Sequence, residues 1–375
     1  MRAVRGLTAL ALLAVLAGCS IFSSSTAPKP AVLETLPAAA VPGRVVWNTR
    51  VDNIQFPLAI AARGTQFIVA GGDGVVQGLQ ATDGAVLWRT EVGAKLAAGV
   101  GSDGRFAAVV TRNNELVVID AGAVIWRKTL ATPVTAAPLV AGERVFVLSV
   151  DRQVLAFDAL DGRKLWELRR PGEPLTLAQA GVIGVYKDTL VVGQGARLTG
   201  VDPIKGTVRW EANVANPRGT NEVERLADLV APLQRQGETL CARAFQSAVG
   251  CVSGERGVTL WSRNVGGVNG IGADANYVFG GDGSDRLTAW KIGNGDTFWT
   301  AEQFSNRKLS VPLSFEKSVI VGDFEGYVHF LSRDTGKTEL RLATDGSAVV
   351  AAPVALGRTV LVATRNGGLF AIRPE

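Results

Sequence analysis

The sequence predicts an all-β protein, an eight-bladed β-propeller of four-stranded antiparallel blades. Tryptophans at positions 47, 88, 126, 166, 210, 261 and 299 recur at intervals of 41, 38, 40, 44, 51 and 38 residues, and Leu340 takes the next place, 41 further on. A period near 40 marks a propeller or solenoid. The stretch APLVAGERVFVLSVDRQVLAFDALDGRKLW (137–166) aligns with VPLSFEKSVIVGDFEGYVHFLSRDTGKTEL (311–340), and each contains four short apolar runs separated by turn residues. Four such runs make one antiparallel sheet. Composition agrees, because 47% hydrophobic residues, 19% charged residues and 44 glycines describe a well-packed body rich in turns.

The chain opens on MRAVRG and LTALALLAVL, two arginines followed by an apolar core too short to span a bilayer, which takes about 20 apolar residues. This is an export signal, residues 1–18. Leu16, Ala17, Gly18 and Cys19 match the lipobox read by bacterial lipoprotein signal peptidase, so Cys19 is the expected lipidation site. Ser20 follows, where an aspartate commonly signals inner-membrane retention. Attachment to the periplasmic face of the outer membrane is therefore expected. Residues 19–42 are rich in Ser, Ala and Pro and bury too little apolar surface to fold alone, so they read as a flexible tether, with the propeller occupying 43–375. Losing Arg2 and Arg5 with the leader lowers the formal net charge from +5 to +3. With no run of lysines and arginines, nothing indicates nucleic-acid binding.

Within a blade, prolines at 57, 138, 232, 312 and 353 fall in the first apolar run. A proline lacks an N–H and suits an edge, so that strand is expected to line the channel. The second and third runs meet at GGDG (71–74), DFEG (323–326) and RNGG (365–368), and the third and fourth at TDG (82–84), LDG (160–162) and DTG (334–336). The tryptophan that follows is expected to fill the gap between adjacent sheets. The last unit, 349–375, has only three runs, whereas Val45–Trp47 is a strand with no unit of its own. Sharing a blade between the two ends closes the ring.

The two longest intervals place extra length in successive connections, ELRRPGEPLTLAQ (167–179) and EANVANPRGTNEVERLADL (211–229). Both run from a fourth strand to the next first strand, so they are expected side by side on one face. Long loops on a rigid scaffold are where binding usually resides. Leu175 and Leu177 would supply apolar anchors, with Arg225 and Asp228 as a charged rim or as a pair bracing the loop. GGDGSD (280–285) and GDFEG (322–326) read as hairpin turns ahead of calcium loops. His329, the only histidine, has no companion ligands and reads as a packed strand residue. Cys241 and Cys251 are symmetric about Gln246 at a hairpin turn, which permits either a cross-strand disulfide or two buried thiols.

The segment AFDALDGRKLW (156–166) resembles the A-x-D-x-x-T-G-x-x-x-W repeat of pyrroloquinoline quinone (PQQ) dehydrogenases. Those enzymes carry a catalytic calcium site, often an adjacent-cysteine ring, and long inter-blade insertions; here no two cysteines are adjacent and the units are nearly minimal. No catalytic residue, metal site or cofactor is expected. Lipobox, tether, eight repeats and the E-x-x-R-L-x-D pattern at Glu222, Arg225, Leu226 and Asp228 together resemble the BamB family of outer-membrane β-barrel assembly lipoproteins. The resemblance implies a non-enzymatic scaffold of the barrel-assembly (BAM) complex. It would bind the periplasmic POTRA domains of BamA, act with other BAM subunits and assist unfolded outer-membrane protein clients. The family's L-x-L-R contact maps to Leu175 and Leu177, with Ala178 in place of arginine, and its acidic contact to Asp228, with Val230 at the second acidic position. A quinone-dependent dehydrogenase and a glycan- or peptidoglycan-binding propeller are the alternative readings.

Overall fold

The computed structural model describes residues 28–36, 41–169, 177, 179–217 and 226–374. Among these, thirty-two strands form eight four-stranded antiparallel sheets. Blades 1 to 7 are consecutive in the chain, at 61–91, 96–129, 139–168, 183–213, 229–263, 272–301 and 313–343. Blade 8 draws on both ends: Gly43–Arg50 pairs antiparallel with Gly368–Pro374, which continues to Thr359–Ala363 and Val354–Leu356. First strands of neighbouring blades lie side by side around the channel, and those of blades 8 and 1 do the same. The second and third strands are almost wholly buried, as in Phe106–Thr111 and Ala248–Ser253, because both faces meet a neighbouring sheet.

The repeat chemistry is visible at five of the eight junctions. Trp126 Nε1 donates to Ala159 O (2.8 Å), Trp166 to Pro203 O (3.0 Å), Trp261 to Ile292 O (2.6 Å) and Trp299 to Arg333 O (2.8 Å). Each acceptor lies in the third-to-fourth turn of the following blade. Trp47 does the same across the closure, donating to Ala81 O in blade 1 at 3.1 Å. The turn glycine is required twice over: Gly84 and Gly162 have φ of 77° and 71°, and a Cβ on either would stand 2.7 Å from the ring of Trp47 or Trp126. The aspartate opening the turn caps its backbone. In blade 4, Asp202 accepts from Arg209 and from the N–H groups of Lys205 and Ile204, which together hold its carboxyl down to about 2. A β-bulge lies just before the tryptophan in strand pairs such as Ala156–Trp166 and Gly200–Trp210 and turns the ring toward the next blade.

Two blades depart from the pattern for visible reasons. In blade 2 the turn shrinks to Ala121 and Gly122, both at positive φ, and Trp88 donates instead to Gln66 Oε1 of its own blade at 2.9 Å. Leu340 occupies the tryptophan place of blade 7 because blade 8 has no third-to-fourth turn to offer a carbonyl. Its side chain packs against Gly43, the first residue of the closing strand.

Two expectations are corrected. Of the five prolines, only Pro232 lies within its first strand, Leu229–Gln236; the others come just before theirs. Pro57 and Pro232 still line the central cavity of about 430 Å³, where a missing N–H costs nothing. The stretch 19–42 is not free throughout, since residues 28–36 are seated on blade 7 and the connection leading into it through backbone carbonyls. The leader and Cys19 lie outside the described residues.

Trp47 is buried, and its indole bond joins the closing strand of blade 8 to blade 1. Trp47→Ala is expected to destabilise the protein by roughly 3–5 kcal/mol. Chemical denaturation checks this, and an unchanged midpoint would show that the junction carries no stability.

Candidate functional site

In an up-and-down blade, connections to the next blade and second-to-third hairpins share one rim of the ring; the other two turns share the opposite rim. The described parts of the two extended connections, residues 169, 177 and 179–182 and residues 214–217 with 226–228, therefore lie on one face, together with the hairpins at 149–153 and 195–196. This is the loop face. The structure brings the ends of the two extensions into contact. Leu177 N–H donates to Asp228 Oδ2 at 3.0 Å, Ala231 N–H donates to Ala180 O at 2.9 Å, and Gly181 bridges Val230.

Asp228 is the hub. Its Oδ1 accepts from Arg152 Nη2 at 3.0 Å, and the two side chains are only 17% and 22% exposed. Arg152 lies in the blade 3 hairpin at positive φ, 76 residues away in sequence, and its carbonyl accepts from Gln194 of blade 4 at 3.1 Å. Thus Asp228 ties both extensions to two rigid hairpins. Its expected place on a charged rim is corrected: its oxygens are engaged by Arg152 and the Leu177 N–H, so it shapes the surface from beneath. Around it, Thr135, Ser149, Arg152, Leu177 and Gln179 line a shallow pocket. Leu177 and Leu226 are both half-buried. Leu175, Glu222 and Arg225 lie outside the described residues. Arg152 was not expected from the sequence, because nothing local in SVDRQ signals a partner in a distant connection.

The other singled-out groups are engaged structurally. Asp282 Oδ1 accepts from the N–H groups of Ser284 and Arg286, and Asp285 from those of Lys308 and Leu309. Asp323 Oδ1 caps its own hairpin through Glu325 N–H and Tyr327 N–H. Among the described residues no group of three His, Cys, Asp or Glu side chains is arranged to hold a metal ion. His329 is fully buried, with Nε2 3.0 Å from Asp323 Oδ2. Burial pushes its pKa below the ordinary histidine value, against the pull of Asp323. Cys241 and Cys251 are directly paired across neighbouring strands and joined by a disulfide in the core of blade 5.

Comparison with known proteins meets this geometry at the level of the whole chain. The family model described as outer membrane protein assembly factor BamB matches residues 72–301. A protein of that name from Bordetella pertussis is 34% identical over 99% of this chain and 97% of its own length, and one from Burkholderia pseudomallei 33% identical over 96% and 95%. The chain belongs to the BamB family. The crystal structure of BamB from Moraxella catarrhalis superposes with a TM-score of 0.80 at 21% identity, covering 88% of this chain and all of that one. A quinohemoprotein alcohol dehydrogenase from Comamonas testosteroni has a TM-score of 0.65 at 14% identity over 88% of this chain and 76% of its own, a likeness of fold alone.

Replacing Asp228 by alanine removes an acceptor from Arg152 and from Leu177 N–H at once. Asp228→Ala is expected to cost about 1–3 kcal/mol and to speed exchange of the Leu177 amide at least tenfold. Urea unfolding and hydrogen exchange check the two effects; a Leu177 amide that stays protected would remove Asp228 as the hub.

Proposed function

We propose that this chain is a non-enzymatic scaffold of the outer-membrane β-barrel assembly machinery, anchored to the periplasmic face of the outer membrane by lipid on Cys19. The observation that carries the reading is that relatives named outer membrane protein assembly factor BamB align with it over nearly their whole length. The loop face adds a physical reason. Two insertions that break the regular period meet at Asp228 on one rim, fastened to hairpins of blades 3 and 4. A small apolar area held on a rigid base and bordered by polar groups is the usual anatomy of a protein interface.

BamA, through its periplasmic POTRA domains, is the proposed partner, with Leu175 and Leu177 as apolar anchors. Glu222, Arg225 and Leu226 would flank them on the second extension, and Asp228 would hold the first in place. Other BAM subunits and unfolded outer-membrane clients would meet the assembled complex. Catalysis is not part of the proposal: the turn carboxylates are occupied by backbone N–H groups and arginines, and the cysteines bond across a sheet instead of forming an adjacent pair.

Leu175→Ala with Leu177→Ala is expected to weaken capture of BamA by at least about tenfold, or ~1.4 kcal/mol, while the melting temperature barely moves. Affinity capture from detergent-solubilised envelopes checks this. Undiminished capture by the folded double variant, or loss only on changing turns of the opposite rim, would refute the placement.

A further inference from the structure

Residues 28–36 cross from the loop face along blade 7, and among the described residues the hydrogen bonds that hold them are made by their backbone. Ala31 N–H donates to Ser305 O at 2.8 Å. The carbonyls of Lys29, Ala31 and Glu34 accept from Asn306 Nδ2 (3.2 Å), Arg307 Nη1 (3.0 Å) and Arg341 Nη1 (2.9 Å). Between the last two, Leu33 packs against the apolar cluster containing Phe279, Phe304 and Leu309, whereas Val32 is 92% exposed. Three spaced carbonyl acceptors and one inserted apolar side chain are what an extended peptide offers a binding site.

The two arginines are also held by groups of the propeller itself. Arg307 is 4% exposed, with Nη2 and Nε at 2.7 and 2.8 Å from Asp323 Oδ2, a further bond to Glu325, and the ring of Phe324 5.2 Å from its guanidinium carbon. Arg341 Nε donates to His329 Nδ1 at 3.3 Å, which places the imidazole proton on Nε2, donated to the same Asp323 oxygen. Phe304 packs on the imidazole at 4.7 Å. Asp323 thus fixes Arg307 directly and Arg341 through neutral His329, leaving one Nη1 of each directed at a carbonyl of the segment. Burial opposes ionisation of Asp323, yet the bonds from His329 and Arg307 hold its carboxyl below the usual range.

We propose that Arg307, Arg341 and the Leu33 pocket form a clasp for the chain's own N-terminal arm, and that this clasp fixes the loop face toward the surface that holds the N-terminus. The orientation rests on the reading of Cys19 as the lipidated residue. Pro28 follows Cys19 by nine residues, which span at most about 30 Å when extended. A clasped arm therefore holds the blade 7 side of this rim within that distance of the anchored residue and turns the face that carries both extensions toward the bilayer. A free arm through residue 42 would let the propeller turn in any direction.

The test is hydrogen exchange on the full chain purified in detergent, read in peptides covering residues 29–36, with intact mass reporting the state of Cys19. Exchange at Ala31 is expected to be at least about tenfold slower than in an unstructured chain. Arg341→Ala should abolish that protection, and so should Leu33→Asp, which alters only the arm and leaves the blades to fold as before. An unprotected Ala31 in the wild-type chain, or protection that survives Leu33→Asp, would overturn the clasp. A protected Ala31 in a chain whose Cys19 is unmodified would uphold the clasp and overturn the lipid reading on which the orientation rests.

Discussion

The fold depends on one repeated contact, an indole N–H donated to a turn carbonyl of the next blade across a glycine that leaves room for the ring. Both partners are buried or half-buried, so an unpaired indole or carbonyl would carry its desolvation cost with no return. The contact fixes the distance and the angle between successive sheets together. It also runs from Trp47 to Ala81, which makes the closing junction chemically the same as those of Trp126, Trp166, Trp261 and Trp299. Ring closure is thus a property of the repeat and needs no separate device. Where the following turn does not exist, at Leu340, the sequence uses a side chain with no donor to satisfy.

A ring locked in this way makes its two rims unequal. The rim of third-to-fourth turns is occupied by docking, its carbonyls and glycines committed to tryptophans. The loop face is left to vary, and both long connections occur there. Asp228 converts this freedom into a defined surface by joining the connections to each other and to the Arg152 hairpin. The arm at 28–36 reaches blade 7 from the same rim, so the chain's N-terminal approach and its candidate partner surface share one side of the molecule.

Much of this was legible in the sequence, for physical reasons that can be named. The tryptophan period and the Asp-Gly turns are local signals, because a positive φ and a large ring each demand particular residue types. The split blade followed from counting strands. Family membership was legible from the repeats joined to the lipobox and the E-x-x-R-L-x-D pattern. What stayed hidden was long-range or carried by backbone. Arg152 meets Asp228 across 76 residues, and although Asp228 ends a recognisable pattern, nothing local in SVDRQ marks Arg152 as its partner. The seating of residues 28–36 is invisible in their composition because the arm contributes carbonyls, which every residue has, and a single leucine. Tertiary hydrogen bonds ordered a segment whose own residues favour neither helix nor strand.

The most direct measurement of whether the ring presents one rim to its partner is a hydrogen-exchange footprint of the full chain with and without the periplasmic POTRA domains of BamA. The account predicts new protection at 177–182 and 226–231, on the loop face, with the turns at 82–84, 160–162 and 204–206 unchanged. Protection confined to those opposite turns, or spread evenly around the ring, would contradict it.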